Sequence, residues 1–409
     1  MHRSVTRASE QRTICAGGAK PTASRRSACT IKNEKERRPM VTVLLCTYNG
    51  EAYIEAQLQS ILAQTIRVEI VVSDDGSTDG TRAVVGRLAA AHPGRITLLQ
   101  QNPPTGSAAR HFLKLIAEKA YDLPYGSRSE KGTGTEEKNV SIKEQRPMEE
   151  ERQGAAAPDA KREGAMQADY IMLSDQDDVW LPEKAERTLQ RMQELEAKYR
   201  SQGEANAALL VHCDSSIVDQ QLREIAPSFV QYQKMTPSRC HLHQLLVQNN
   251  VVGGALMMNR ALAERITSVP AHCVMHDQWL ALIASAFGHI DFLPEALYLY
   301  RQHGDNVLGA AKGSRLMEIL GRFGIGRTDG KTKAEMDAHS QSVYHEMFLQ
   351  AACFRDSFDA ELTEEQKRLL SQFLSIPKKN RLGKIITILR YGFTYNLFHR
   401  TVGECLFIQ

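Results

Sequence analysis

The strongest constraint on the fold of this chain is the rhythm of apolar runs and periodic segments between residues 41 and 99. Val41 to Tyr48 is almost unbroken apolar sequence, as a parallel strand covered on both faces requires. Asn49-Gly50 ends it, and a helical stretch follows with Ile54, Leu58, Ile61 and Leu62 on one face. Val68 to Val72 is a second buried strand, stopped by Asp74-Asp75-Gly76-Ser77. A further helix, around Thr81 to Ala91, leads to a strand at Ile96 to Leu99. Strand and helix alternating in this order predict an α/β fold: a Rossmann-like, mostly parallel sheet flanked by helices. Ligands of such sheets bind beyond the carboxyl ends of the strands. Thr47-Tyr48-Asn49 and Asp74-Asp75 fall there.

Residues 105–120 predict another helix, with Phe112, Leu113, Leu115 and Ile116. The stretch 123–167 is dense in Glu, Lys, Arg, Gly and Ser, and buries too little to offset its ordering entropy. It reads as a disordered insertion inside one domain. The sheet resumes at Asp169 to Ser174, with strands expected at Leu209 to Cys213 and Phe292 to Tyr300. Gly253-Gly254 marks a close backbone approach, and a helix is expected to start near Asp277. The implied organisation is a basic tail over 1–39, a catalytic domain over 40–310 and a helical C-terminal extension over 311–409. For the tail, a translational start at Met40 is the rival reading.

A net charge of +3 over 409 residues offers no basic face or stripe, so nucleic acid is not an expected partner. None of the eight cysteines forms a C-x-x-C pair, which argues against a zinc knuckle and a disulfide framework. No stretch reaches the ~18 uninterrupted apolar residues of a spanning helix, and the N-terminus lacks the apolar core of a secretory signal. The expected location is the cytoplasm, extending to the inner face of the plasma membrane if the C-terminus docks there. That end mixes aromatic and aliphatic residues with Arg390, His399 and Arg400. It could rest on anionic lipid, but ordinary helix packing against the catalytic domain is the favoured reading.

The densest chemistry lies in Ser174-Asp175-Gln176-Asp177-Asp178-Val179-Trp180. Three carboxylates within four residues repel one another unless a cation sits among them. Mg²⁺ or Mn²⁺ would suit, since both take one or two carboxylates plus phosphate oxygens and water. An Asp-rich cap for the helix near Pro182 is the purely structural alternative. Asp74 and Asp75 could accept hydrogen bonds from a base or ribose, whereas Gly76 and Ser77 are explained by turn formation alone.

Together, Thr47-Tyr48-Asn49-Gly50, Asp74-Asp75-Gly76-Ser77-Thr78-Asp79 and Ser174 to Trp180 resemble the signature of family 2 glycosyltransferases of GT-A fold. With His276-Asp277-Gln278-Trp279 and Tyr300-Arg301-Gln302-His303-Gly304, the pattern is similar to the rhamnosyltransferase-like branch of polysaccharide biosynthesis. The resemblance covers about residues 41–310. It implies that Thr47, Tyr48 and Asn49 border a nucleotide pocket and that Asp74 or Asp75 binds base or ribose. Asp175 and Asp177 match the metal-binding D-x-D, with Asp175 also near the sugar nucleotide. Asp178 would orient the loop or the sugar, and His303 would approach the metal or diphosphate. Asp277 matches the catalytic base, although His276 stands where the family usually has Glu.

The reaction so implied is an inverting transfer from a nucleotide diphosphate sugar to a glycan or lipid-linked acceptor, with Mn²⁺ or Mg²⁺ as cofactor. The competing reading is a nucleotide-sugar-binding scaffold protein that does not catalyse. A dehydrogenase would need G-x-G-x-x-G after the first strand, where Thr47-Tyr48-Asn49-Gly50 stands instead.

Overall fold

β1 (Val41–Thr47) is buried at every position, and its side chains alternate between two separate apolar layers. Leu44 and Cys46 enter one layer; Val41, Val43 and Leu45 enter the other. A strand buried on both faces has no polar side to offer, which is why its sequence runs apolar without alternation. A computed structural model describes residues 39–119, 169–303, 333–397 and 401. The chain divides into two units, Met1–Pro39 and Met40–Gln409. The expected tail, apart from Pro39, and the expected insertion 123–167 lie outside the described residues.

β1 pairs in parallel with β2 (Val68–Asp74), and β2 with β3 (Ile96–Gln100). The intervening helices α1 (Ile54–Leu62) and α2 (Thr81–Ala91) pack on the same face of the sheet. α1 does so through Ile54, Leu58 and Ile61, the spacing of one helical stripe. The chain then crosses to the other face with α3 (Ala108–Lys119) and returns on the far side of β1 as β4 (Tyr170–Ser174). The order β3-β2-β1-β4 puts a topological switch between β1 and β4. A crevice opens at such a switch, at the carboxyl ends of the strands.

Beyond β4 the sheet becomes mixed. β5 (Val179–Trp180) and α4 (Lys184–Ser201) lead to β6 (Ala208–Val218), longer than the sequence suggested, which carries the small β7 (Glu224–Ala226). β8 (Leu256–Asn259) inserts antiparallel between β4 and β6. β9 (Gly288–Arg301) pairs in parallel with β6 and, at its far edge, antiparallel with β5. Short helices α5 (Phe229–Tyr232), α6 (Leu242–Leu245) and α7 (Arg260–Ala263) fill the connections.

α8 (His276–Phe287) runs straight into β9 with no loop. At the junction a methyl group on Gly288 would collide with the backbone of Ala208, so only glycine fits. α8 is buried over most of its circumference from His276 to Ala284, which explains the unbroken apolar run 279–284. It is covered by α3 on one side and by the C-terminal helices α9 (Lys333–Phe358), α10 (Glu364–Ser375) and α11 (Arg381–Tyr391). Trp279 packs edge-on against Phe354 at 5.6 Å. The architecture is thus the expected α/β sheet flanked by helices, with a helical C-terminal region. The antiparallel insertion of β8 is the feature that the sequence pattern did not announce.

Candidate active site

Three strands of the parallel half end at one level. Thr47 of β1 lies opposite Asp74 of β2, and Leu45 opposite Ser174 of β4. The segments that follow these strands border a cavity of about 1130 Å³. Asn49 turns the chain after β1 with a left-handed backbone (φ 48°), a conformation asparagine tolerates better than most residues. Its side-chain oxygen accepts from the Thr78 amide at 2.9 Å, tying the β1 loop to the β2 loop. Tyr48, half exposed, lines the cavity wall beside it.

The two acids after β2 have different surroundings. Asp74 is fully buried, and its carboxylate accepts from the amides of Gly76 (3.2 Å) and Ser77 (3.0 Å). It closes the turn and does not line the cavity. Asp75 does line it, held by the amides of Thr105 (2.6 Å) and Gly106 (2.9 Å) and by the Thr105 hydroxyl (2.8 Å). Of the pair, Asp75 is the one positioned to meet a ligand.

The loop after β4 presents Asp175, Gln176 and Asp177 to the cavity. Gln176, which the sequence did not single out, straps this loop to β1. Its side-chain oxygen accepts from the Thr47 hydroxyl (2.6 Å) and the Tyr48 amide (2.9 Å), and its amide nitrogen donates to the Tyr48 carbonyl (3.1 Å). Thr47 is therefore engaged by the protein itself. Burial, reinforced by the charges of Asp177 and Asp277, pushes the Asp175 carboxyl up to about 7. Asp178 turns inward, accepts from the Arg301 amide at 3.2 Å and is raised by burial and its acidic neighbours. It orients the loop from behind.

Lys184 answers these acids. It is fully buried, its ammonium 3.6 Å from the ring centre of Trp180 and 4.3 Å from that of Tyr298, and it donates to the Gly254 carbonyl at 2.5 Å. A methyl group on Gly254 would lie 3.1 Å from Asp175 Oδ2 and 3.2 Å from Asp178 Oδ2. One cation thus fixes the glycine turn against both carboxylates. Removing it strands buried polar groups, and Lys184→Met is expected to lower unfolding free energy by about 3 kcal/mol. Urea denaturation would show this; an unchanged midpoint would mean that the acids need no internal cation.

His303 Nε2 lies 2.8 Å from Asp177 Oδ2, and its ring stacks on Tyr53 at 4.7 Å. Asp177, His303 and Asp175 make a carboxylate–imidazole–carboxylate set whose donors suit Mn²⁺, and also Mg²⁺ through the acids. Among the described residues no three such side chains converge on one point. A bound ion would therefore fill its remaining positions with water and ligand oxygens, the usual habit of these ions. Two carboxylates and an imidazole are the donor types these ions take, so the residues fit the ion chemically.

Asp277 lines the cavity from the first turn of α8. Its carboxylate accepts from the Gly253 amide (3.1 Å) and from the Gln278 amide (2.7 Å). Burial raises it to about 6, and these amides hold it from rising further. His276 is buried, stacked on Phe112 at 4.2 Å and lowered by burial to about 3. Its ring is neutral and has no hydrogen-bond partner among the described residues. It packs beneath Gly253, where a methyl group would stand 2.5 Å from Nε2.

Another part of the cavity wall comes from Phe229, Gln233, Met235, Gln248, Asn249 and Met275. None carried a sequence signal, because they meet only through tertiary packing. Asp214 anchors one part of this wall, accepting from the Ser228 hydroxyl (2.5 Å) and the Val230 amide (3.1 Å) around Phe229. Trp180 and Trp279 are both buried and line no part of it.

Residues 42–143 match the family model described as glycosyl transferase family 2. The chain is 27% identical over 146 residues to the dTDP-rhamnosyl transferase RfbG of Shigella flexneri, covering 36% of this chain and 35% of that protein. It is 36% identical over 81 residues to the chondroitin synthase of Escherichia coli, covering 20% of this chain and 12% of that one. These matches span about a third and about an eighth of the relatives' lengths. Among solved structures, S. aureus TarS 1–349 in complex with UDP is 16% identical, with 86% of this chain and 92% of that chain covered and a TM-score of 0.42. The mannosyltransferase PcManGT from Pyrobaculum calidifontis, in complex with GDP-Man and Mn²⁺, is 18% identical, with 91% and 89% covered and a TM-score of 0.38.

Proposed function

We propose that the chain is a metal-dependent inverting glycosyltransferase of GT-A type, a reading that proceeds from the match of residues 42–143 to the glycosyl transferase family 2 model. The donor is a nucleotide diphosphate sugar, and the acceptor is a glycan or lipid-linked saccharide of a cell-surface polysaccharide. The observation that carries the reading is the convergence of Asp75, Asp175, Asp177 and Asp277 on one cavity from three separate segments. Rhamnose is the first sugar to test, since the relative RfbG is a dTDP-rhamnosyl transferase.

In this reading the loops after β1 and β2 receive the nucleoside, with Asp75 accepting from base or ribose and Tyr48 and Asn49 bordering the pocket. Asp175, Asp177 and His303 are the residues that would hold Mn²⁺ or Mg²⁺. When bound, the ion supplies positive charge where the leaving diphosphate becomes more negative. Asp277 takes the proton from the acceptor hydroxyl as that oxygen bonds to the anomeric carbon and the bond to the diphosphate breaks. A single displacement inverts the anomeric centre and needs only this one base. The lengths of the relatives left unmatched make donor, acceptor and linkage matters for direct assay.

The test is a panel of nucleotide sugars, including dTDP-rhamnose, UDP-linked hexoses and GDP-mannose, scored by thermal unfolding with and without Mn²⁺. A donor present at a hundred times its Kd stabilises by about 2.7 kcal/mol, so the true donor is expected to raise the midpoint clearly, and chelation to abolish the rise. A flat response to every donor would overturn the reading.

A further inference from the structure

α11 presents a face that nothing in the described protein covers. Leu382, Ile386 and Leu389 are 67%, 53% and 59% exposed, the largest such values among its aliphatic residues. At about 100° per residue these three fall in one narrow stripe, with Arg381 and Arg390 to either side. Both arginines are exposed, as is Lys378 just before the helix. Lys384, Thr387 and Ile388 are the buried positions of the same helix, so its inner face is already committed to the protein. Asn380 caps its start, donating no proton but accepting from the Gly383 amide at 2.9 Å, and Gly392 ends it with a left-handed backbone (φ 70°). The exposed stripe is therefore fixed on a well-bounded helix.

The charge around the stripe is one-sided. From Gln366 to Gly403 there is no Asp or Glu, while eight lysines and arginines occur. A second copy of the chain docking by two-fold symmetry would bring these cations against themselves. An apolar stripe flanked by cations matches instead a surface that offers anionic headgroups at its edge and hydrocarbon below. We propose that α11 is a membrane-docking helix that lays Leu382, Ile386 and Leu389 into an anionic lipid surface, with Lys378, Arg381 and Arg390 at the headgroups.

The attachment of α11 to the cavity gives this docking a use. Immediately after the helix, the carbonyl and hydroxyl of Thr394 accept from Arg239 at 2.6 and 2.7 Å. The Asn396 amide donates to Gln248 at 2.9 Å, and Gln248 lines the cavity wall. A helix held at the bilayer thus stands one short, hydrogen-bonded segment from the cavity. An acceptor carried on a lipid would be presented from that side.

Co-sedimentation of the full chain with vesicles tests this. Vesicles of equal parts phosphatidylglycerol and phosphatidylcholine are expected to bind at least about tenfold more tightly than phosphatidylcholine alone, with the difference falling in high salt. The triple variant Leu382→Gln, Ile386→Gln, Leu389→Gln is expected to lose about tenfold or more on the anionic vesicles. The variant Lys378→Glu, Arg381→Glu, Arg390→Glu is expected to bind no better to anionic than to neutral vesicles. All six positions are exposed, so circular dichroism and melting should match the parent. The proposal is overturned if the parent chain stays in the supernatant or if the triple glutamine variant binds as well as the parent. It is equally overturned if the parent forms a dimer that the triple glutamine variant dissolves. Vesicle binding requires no sugar donor, so its failure leaves the transferase reading standing.

Discussion

Asp277→Asn is expected to lower kcat by about a thousandfold while changing the Kd of the sugar donor less than about twofold. Loss of a positioned general base typically costs between a hundredfold and ten-thousandfold. Asparagine keeps an oxygen that can accept from the amides of Gly253 and Gln278, so the first turn of α8 should stay in place. The pH dependence separates the base from a bystander. Burial holds the Asp277 carboxyl at about 6, and only its ionised form can accept a proton. Activity is therefore expected to fall tenfold per unit as pH drops below about 6, and the asparagine variant should lack that limb. Stability runs the opposite way. The folded-state carboxyl titrates above its unfolded value, so the stability it contributes is present at low pH and lost as pH rises through about 6. At neutral pH the asparagine variant should melt no lower than the parent. A variant that retained full turnover would remove Asp277 from the mechanism; a parent chain that bound donor but never turned it over would favour the scaffold reading.

Asp177→Asn is expected to weaken donor binding in Mn²⁺ by at least about a hundredfold, and His303→Ala by about tenfold. The acid contributes charge as well as a donor atom, whereas the imidazole contributes a donor atom and orients Asp177 from 2.8 Å away. Titration calorimetry of the chosen donor, with and without Mn²⁺, would read both. The informative control is chelation: the parent without metal should resemble the Asp177 variant with it. Equal donor affinity in parent and variant would separate the D-x-D acids from any metal role.

How far the sequence foretold this arrangement depended on the kind of contact. The strands of the parallel half were legible because burial on both faces demands uninterrupted apolar runs, and acids at their ends stand out against them. Asp175, Asp177 and Asp277 all line the cavity. The choice between Asp74 and Asp75 was not legible, because it turns on which carboxylate the backbone amides of Gly76 and Ser77 capture. Gln176 and Lys184 were missed for a related reason: amide straps and internal cations are defined by partners far away in sequence. The antiparallel entry of β8 escaped because four buried apolar residues read alike in either direction. The wall around Phe229, Gln248 and Asn249 is assembled from loops with no periodic signal at all.

The turn at Gly253 and Gly254 touches both halves of the chemistry. Asp277 hangs on the first glycine's amide, while Asp175 and Asp178 crowd the second one's α-carbon. On the proposed reading, the gap between departing phosphate and incoming alcohol would be gauged by bare main chain, which evolution can hardly adjust without displacing an acid. Diversification toward new sugars or new linkages would have to proceed along the opposite, loop-built bank of the cleft, where side chains can be exchanged without disturbing that gauge.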